Sequence, residues 1–511
     1  MRELLNISPR EYQKAIFETA KDNNTLVILP TGLGKTLIAL MLSIDRLKKF
    51  PGQKVLILAP TRPLVEQHLQ SFEKQLPELF ADLQLFTGLI SAKKRSEIWQ
   101  SAEIIFSTPQ CVSNDLHGEL YDLKNVALVI FDEAHRCLKN YDYTYIAKRY
   151  KDQSQNQLIL GLTASPGSDK EKVRQICNHL AVSKVEIRTR DSIDVKPYLQ
   201  DREFQKYEVP FPEEFIELRV LLKQIFDSKI EQLKRRNLLF LPANKVTLLN
   251  LQSQLARQVT PENFQAMIGM SLCAQAIKIS HALELLETQT LSGLKEYLNN
   301  LQKQAAEKKS KGVQTLVNAP EFKAIVLSLN KLIGNEIEHP KLEELKTLIE
   351  TEFSENENSK IIVFSQFRET ANAIATRLNK IPKVRAKLFI GQAKKNNTGL
   401  SQKEQKQVIE QFKTGETNVI CATSIGEEGL DIPEVNAVYF YEPIPSEIRR
   451  IQRAGRTARL KPGKLVILIT KNTRDEAHHY ASLARERKMH KTIESVKQEI
   501  QNKNPTLNDF K

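Results

Sequence analysis

The sequence predicts an α/β protein: two parallel-sheet domains with an inserted all-helical domain between them. Three observations carry that prediction. Short apolar runs without alternation recur through the first two hundred residues and return after residue 359, as expected of strands buried on both faces of a parallel sheet. Helical patterns alternate with those runs, the signature of a doubly wound fold. The stretch between the two sets has long helical periods and few strand-like runs.

In chain order, the first set is TLVILP (25–30), KVLILAP (54–60), EIIFSTP (103–109), NVALVIFD (125–132) and QLILGLTAS (157–165), with helical segments such as TLIALMLSIDRLKKF between them. The middle stretch includes EEFIELRVLLKQIFDSKIEQLKRRNLLF and its most polar part, QKQAAEKKSKG (302–312), a helix end running into an exposed loop. The second set is KIIVFS (360–365), AKLFIG (386–391), TNVICATS (417–424), NAVYFYEP (436–443) and KLVILIT (464–470). The expected domain plan is therefore 1–201, 202–340 and 341–483, followed by a basic helical or flexible tail at 484–511. A chain of 511 residues is too long for one hydrophobic core, which agrees with several domains.

The net charge of +14 is unevenly placed: residues 441–511 hold sixteen Lys and Arg against eight Asp and Glu. A basic excess gathered in one region points to a polyanion, most often nucleic acid. Five scattered cysteines with no CxxC pair indicate neither a disulfide framework nor a zinc site. No apolar run of membrane-spanning length is evident, and MRELLNISPREYQ has no signal-peptide core. The expectation is a soluble, cytoplasmic protein without a membrane partner. Adjacent His478 and His479 read as surface residues.

LPTGLGKT (29–36) follows a buried strand and opens a helix, the setting of a phosphate-binding loop. Its residues are Leu29, Pro30, Thr31, Gly32, Leu33, Gly34, Lys35 and Thr36, with Leu29 where the general pattern has Gly. Gly32 and Gly34 let backbone N–H groups approach phosphates, Lys35 reaches the β- and γ-phosphates, and Thr36 offers a hydroxyl to Mg²⁺. VIFDEAH (129–135) puts two carboxylates at the C-terminal end of a buried strand, where open α/β sheets bind ligands. There Asp132 can hold Mg²⁺ and Glu133 can orient and deprotonate the attacking water.

These two motifs indicate nucleoside triphosphate hydrolysis. Phosphoryl transfer also needs positive charge on the γ-phosphate, commonly an arginine finger. RRIQRAGRTARLKPG (449–463) spaces Arg450, Arg453, Arg456 and Arg459 by three residues. Within it, QRAGRTAR (452–459) assigns Gln452, Arg456 and Arg459 to the catalytic site, reached when the two α/β domains face each other across ATP. Arg449 and Arg450 read as a phosphate-gripping strip.

With these motifs in order, the chain resembles the superfamily-two helicases, which pair two RecA-like domains. PREYQ (9–13), APTRPLVEQ (59–67), TPQ (108–110), TAS (163–165), VFSQFR (363–368) and TSIGEEGLDIPEV (423–435) match further motifs of that superfamily. DEAHR, FSQFR, GEEGLDIPEV with YEPIPS, and NTRDEA (472–477) resemble the archaeal Hef helicases and their Fanconi anaemia M-type relatives more narrowly. The resemblance implies that Gln13 reads adenine and that Gly429 and Asp431 approach the nucleotide. It implies that Thr61, Arg62, Thr108, Gln366 and Thr423 line a nucleic-acid track, and that the helical insert is a thumb-like grip on forked or branched DNA. Ala454 and Ala458 stand where relatives commonly have a bulkier residue and Gly.

Hef proteins also carry a nuclease domain with an ERKxxxD signature. Here ERKMHKT (486–492) has Thr492 in place of the aspartate, so the chain reads as a helicase module working with a separate nuclease subunit. NKNPTLNDFK (502–511) resembles a sliding-clamp-binding peptide through Leu507 and Phe510. Two other functions stay open: a double-stranded RNA-dependent translocase, and a non-catalytic nucleic-acid clamp.

Overall fold

The computed structural model describes residues 4, 7–260, 262–391, 399–423, 432–455, 457 and 462–503. The first sheet contains β1 (Thr25–Ile28), β2 (Lys54–Leu58), β3 (Leu83–Phe86), β4 (Ile104–Ser107), β5 (Val126–Asp132), β6 (Ile159–Thr163) and β7 (Lys184–Ile187). Its order is β3-β4-β2-β5-β6-β1-β7, every pair parallel. The helices around it are α1 (Glu11–Ala20), α2 (Lys35–Lys49), α3 (Arg62–Gln75), α4 (Ala92–Ser101), α5 (Pro109–His117), α6 (Asp142–Gln153) and α7 (Lys170–His179). On one face Ile16, Leu37, Val65 and Phe72 cover Val27, Ile57 and Leu160. On the other, Tyr143, Ile146, Val173 and Ile176 cover Leu26, Leu56 and Val129.

The sequence pattern misses β3 and β7, the two edge strands, because an edge strand is half-exposed and needs no continuous apolar run. A third edge strand corrects a domain boundary. β8 (Arg202–Val209) pairs in parallel with the strand at Gly463–Thr470, from Arg202 against Gly463 to Val209 against Thr470. Residues 202–209 thus belong to the second sheet, not to the helical insert. REFQKYEV is largely exposed and held through its main chain, so it lacks the apolar mark of the interior strands.

The insert proper is a bundle of α8 (Ile216–Arg235), α9 (Lys245–Arg257), α10 (Phe264–Thr288), α11 (Leu291–Ala306), α12 (Lys311–Asn318) and α13 (Pro320–Gly334). By length and composition α10 could cross a membrane, contrary to the sequence reading. Here it is the bundle's central helix, with Ile279, Ala282 and Leu286 packed among residues of α8 and α11.

The chain then builds the second domain from α14 (Pro340–Glu355), β9 (Ile361–Phe364), α15 (Arg368–Leu378), β10 (Ala386–Phe389), α16 (Gln402–Thr414), β11 (Val419–Ala422), β12 (Ala437–Phe440), α17 (Glu447–Ala454) and β13 (Gly463–Thr470). The sheet runs β10-β11-β9-β12-β13-β8, again all parallel. Local signals start and stop these elements. Ser401 and Glu404 form a capping box at the start of α16, and Gly415 ends it in the left-handed conformation at φ +84°.

Of the expected basic helical or flexible tail at 484–511, the part as far as Lys503 is helical, and it is packed rather than free. It is the second half of α18 (Arg474–Lys503), a 30-residue helix about 45 Å long. α18 begins in the second domain, where Asp475 forms a fully buried ion pair with Lys341 (2.8 Å). It ends on the first domain, where Met489, Ile493 and Val496 join the core beside Val173 and Ile176. His479, expected on the surface, is buried on this helix, as one face of α18 packs on the second domain. Leu507 and Phe510 lie outside the described residues.

Candidate active site

The parallel order β5-β6-β1 brings three motifs to one sheet edge, because each motif follows the C-terminal end of its strand. The loop after β1 turns through Gly32 (φ +83°) and Gly34 (φ +77°), left-handed conformations that favour glycine. A Cβ on Gly34 would also lie 2.3 Å from Gln13 Nε2. Gln13 is buried against this loop. Its Nε2 donates to the Leu33 and Gly34 carbonyls (3.2 and 3.3 Å), and its Oε1 accepts from the Arg10 N–H (2.9 Å). Leu29 and Leu33 anchor the loop in the core, and Pro30, Thr31 and Thr36 are half-buried. Lys35 is the first residue of α2, and its Nζ donates to the Leu29 carbonyl (3.3 Å).

Asp132 ends β5, and Glu133 follows in the left-handed region at φ +51°. A non-glycine residue held there costs energy that the surrounding structure must offset, a pattern found at functional sites. Asp132 Oδ1 accepts the Glu133 N–H (2.9 Å) and Oδ2 accepts from His68 Nε2 (2.8 Å). Burial would raise the Asp132 pKa; the His68 hydrogen bond, the Lys35 ammonium and the Glu133 N–H outweigh it and hold the carboxyl below its ordinary value. Beside it, His135 Nδ1 lies 3.2 Å from Thr163 Oγ1 and 3.2 Å from Glu133 Oε2. The second approach lacks hydrogen-bond alignment, so Glu133 Oε2 is buried with no hydrogen bond among the described residues. Thr163 Oγ1 in turn bonds Ser165, which links the TAS motif to the Asp-Glu-Ala-His run.

The expected track residues also stand at strand ends. Thr61 and Thr108 cap the helices after β2 and β4, adjacent in the first sheet, and Gln366 and Thr423 follow β9 and β11, adjacent in the second. Thr61 Oγ1 is buried without a hydrogen bond among the described residues, Gln366 is exposed and Thr423 is buried. Arg62 Nε donates to Glu66 Oε1 (2.6 Å).

The arginine stripe does not form one solvated face. Arg450 pairs with Glu486 of α18 (2.6 Å). Arg453 is buried with its guanidinium 4.8 Å from the centre of the Phe364 ring. Gln452 is buried on α17, and among the described residues of the stripe only Arg449 is exposed. Arg456, Arg459, Gly429 and Asp431 lie outside the described residues.

The two sheets meet at this site. Gly455, at the end of α17, abuts Thr31 of the first domain's loop. Glu66 on α3 accepts from Lys406 on α16 (2.7 Å), and Ser165 Oγ donates to Met489 Sδ on α18 (2.8 Å). Sequence reasoning missed His68, Lys341, Glu442 and Met489, since nothing in local spacing marks residues whose partners are distant in the chain.

Two parallel α/β domains closing over a phosphate loop, with an Asp-Glu-Ala-His run at the end of a buried strand, define a DEAD/DEAH-box helicase core. Residues 10–173 match the DEAD/DEAH box helicase family, residues 340–461 the helicase conserved C-terminal domain, and residues 214–335 a helical-bundle family provisionally described as ATP-dependent RNA helicase. The crystal structure of the Pyrococcus furiosus Hef helicase domain is similar at TM-score 0.70 and 42% identity, covering 93% of this chain and 98% of that one. A Methanocaldococcus jannaschii protein provisionally named an ATP-dependent RNA helicase is 38% identical over 96% of this chain. The ATP-dependent DNA helicase mph1 of Sclerotinia sclerotiorum is 33% identical over 92% of it. The chain spans 61% and 40% of those two proteins. It belongs to the Hef helicase family.

Proposed function

We propose that the chain is an ATP-dependent DNA helicase or translocase acting on forked or branched DNA in repair and stalled-fork processing. The observation that carries this reading is the contact of Gly455 with Thr31. It seats the end of α17 on the mouth of the phosphate loop, and Arg456 is the next residue in the sequence. An ATP site completed from both domains couples hydrolysis to their relative motion, which is the requirement for a motor.

Lys35, Asp132 and Glu133 take the roles of phosphate binding, cation holding and water activation, with Gln452, Arg456 and Arg459 contributed from the second domain. A Mg²⁺ ion fits the residues present. An ionised Asp132, the Thr36 hydroxyl and Glu133 Oε2, which has no hydrogen bond among the described residues, make an all-oxygen set, which suits a hard cation. Asp132 and Thr36 would hold it, and when bound it supplies charge neutralisation at the β- and γ-oxygens. Gln13, Gly429 and Asp431 serve the nucleotide, while Thr61, Arg62, Thr108, Gln366 and Thr423 face the nucleic acid.

The reading extends to a cytoplasmic setting, supported by five buried free cysteines. It also includes a separate nuclease subunit, and a sliding clamp bound through Leu507 and Phe510. Calorimetry of a peptide covering residues 496–511 against the clamp tests the last element; no binding would remove it.

A specific observation favours a second reading, an RNA-duplex translocase: the Methanocaldococcus relative and the helical-bundle family both carry RNA in their names. Steady-state ATPase rates with single-stranded, duplex, forked and four-way DNA and the RNA equivalents separate the two. Forked or branched DNA should stimulate most; strongest stimulation by RNA duplex would replace the first reading with the second.

A further inference from the structure

His68 lies on α3, buried to 6% exposure, and its partner is 64 residues away in the chain. β2 and β5 are neighbours in the sheet, so the helix that follows β2 lies beside the end of β5. Across that gap His68 Nε2 stands 2.8 Å from Asp132 Oδ2. A carboxylate can only accept, so Nε2 carries the proton of this bond. The rest of Asp132 is held as firmly: Oδ1 accepts the Glu133 N–H (2.9 Å), and the Tyr143 hydroxyl donates to its main-chain carbonyl (2.8 Å).

The other ring nitrogen shows that packing alone does not account for this residue. His68 Nδ1 is buried with no hydrogen bond among the described residues. A buried polar atom left unpaired costs stability, a cost that a leucine or phenylalanine of similar bulk would avoid. The benefit offsetting that cost is found at Nε2, on the carboxylate.

We infer that His68 is a positioning residue for Asp132: its Nε2–H fixes the plane of the carboxylate, so that the remaining lone pairs meet a divalent cation and its water shell without a rotational search. The inference rests on the reading of Asp132 as the cation-holding carboxylate. The same helix is gripped by the second domain, because Glu66 accepts from Lys406 (2.7 Å) while also accepting from Arg62 (2.6 Å).

The test is Mn²⁺ binding to the full chain in the presence of ADP, read by electron paramagnetic resonance, beside the affinity of a fluorescent ADP analogue without metal. The unmodified chain should bind Mn²⁺ and Asp132→Ala should not; if both bind alike, the cation role of Asp132 fails and the inference falls with it. Given that control, His68→Ala should weaken Mn²⁺ about tenfold, as loss of an outer-shell partner typically does, with metal-free nucleotide affinity unchanged. His68→Gln, which can donate from a similar place, should recover most of the loss. His68→Leu fills the same space without a donor and should behave like His68→Ala, which keeps the comparison available if the alanine variant unfolds. Mn²⁺ affinity within twofold of the unmodified chain in His68→Leu, or glutamine no better than leucine, would overturn the inference.

Discussion

A methyl group on Gly455 would lie 1.5 Å from the Thr31 hydroxyl oxygen and 2.9 Å from its Cβ. The second domain therefore rests on the phosphate loop at a point with no room for the smallest side chain. Gly455 itself has an ordinary φ of −74°, so the demand comes from the contact and not from the backbone. Gly455→Ala should leave each domain folded but hold them apart, lowering nucleic-acid-stimulated kcat about 10²-fold, the usual cost of misplacing a catalytic group by an ångström or so. Thr31→Gly in the same chain should recover part of that loss. Unchanged turnover in Gly455→Ala would show that this contact is not used in the cycle.

Lys35→Ala should abolish ATP turnover with little effect on folding. Its ammonium makes one long hydrogen bond, 3.3 Å to the Leu29 carbonyl, at a half-buried position. The melting transition should change by less than about 1 kcal/mol. Normal hydrolysis by the variant would remove Lys35 from the site.

Glu442 gives a pH signature. Its carboxyl is fully buried behind Gln366, whose main-chain N–H it accepts. Burial pushes its pKa from 4.5 up to about 7, although Lys341 and Arg453 pull it down. Between those values the folded chain keeps the proton and the unfolded chain releases it, so stability falls as pH rises from 4.5 to about 7. The fall attributable to this group is up to about 3 kcal/mol. Glu442→Gln should flatten the dependence, measured as the slope of melting temperature against pH for variant and unmodified chain. Equal slopes would contradict the assignment.

α18 provides a domain-resolved prediction. Ile493 is 1% exposed in the first domain's core although its helix starts in the second. Ile493→Ala should cost the first domain about 2–5 kcal/mol, as for other large-to-small core changes, and calorimetry should show the second domain's transition unmoved. A shift confined to the second domain would mean that α18 does not hold the two together in solution.

The interior strands and the nucleotide motifs were legible because their chemistry is local. LPTGLGKT and VIFDEAH each hold strand, turn and functional group within a few residues. β8 was not legible, since REFQKYEV owes its place to hydrogen bonds with β13, more than 250 residues later. Nor was the use of the stripe arginines: Arg450 is committed by Glu486 and Arg453 by Phe364, and a spacing of three says nothing of either partner. His68 and the Lys341–Asp475 pair were hidden for the same reason, as each acquires its role from a residue that only the fold brings near.

Completion of the ATP site from the second domain is tested most directly by Arg456→Ala. The measurement is kcat for ATP with saturating forked DNA, set beside the dissociation constant for a non-hydrolysable ATP analogue. A finger acting on the transition state predicts a fall in kcat of about 10³-fold or more, with analogue affinity changed only a few-fold. Unchanged kcat, or a loss of affinity as large as the loss of turnover, would contradict a catalytic site shared across the cleft.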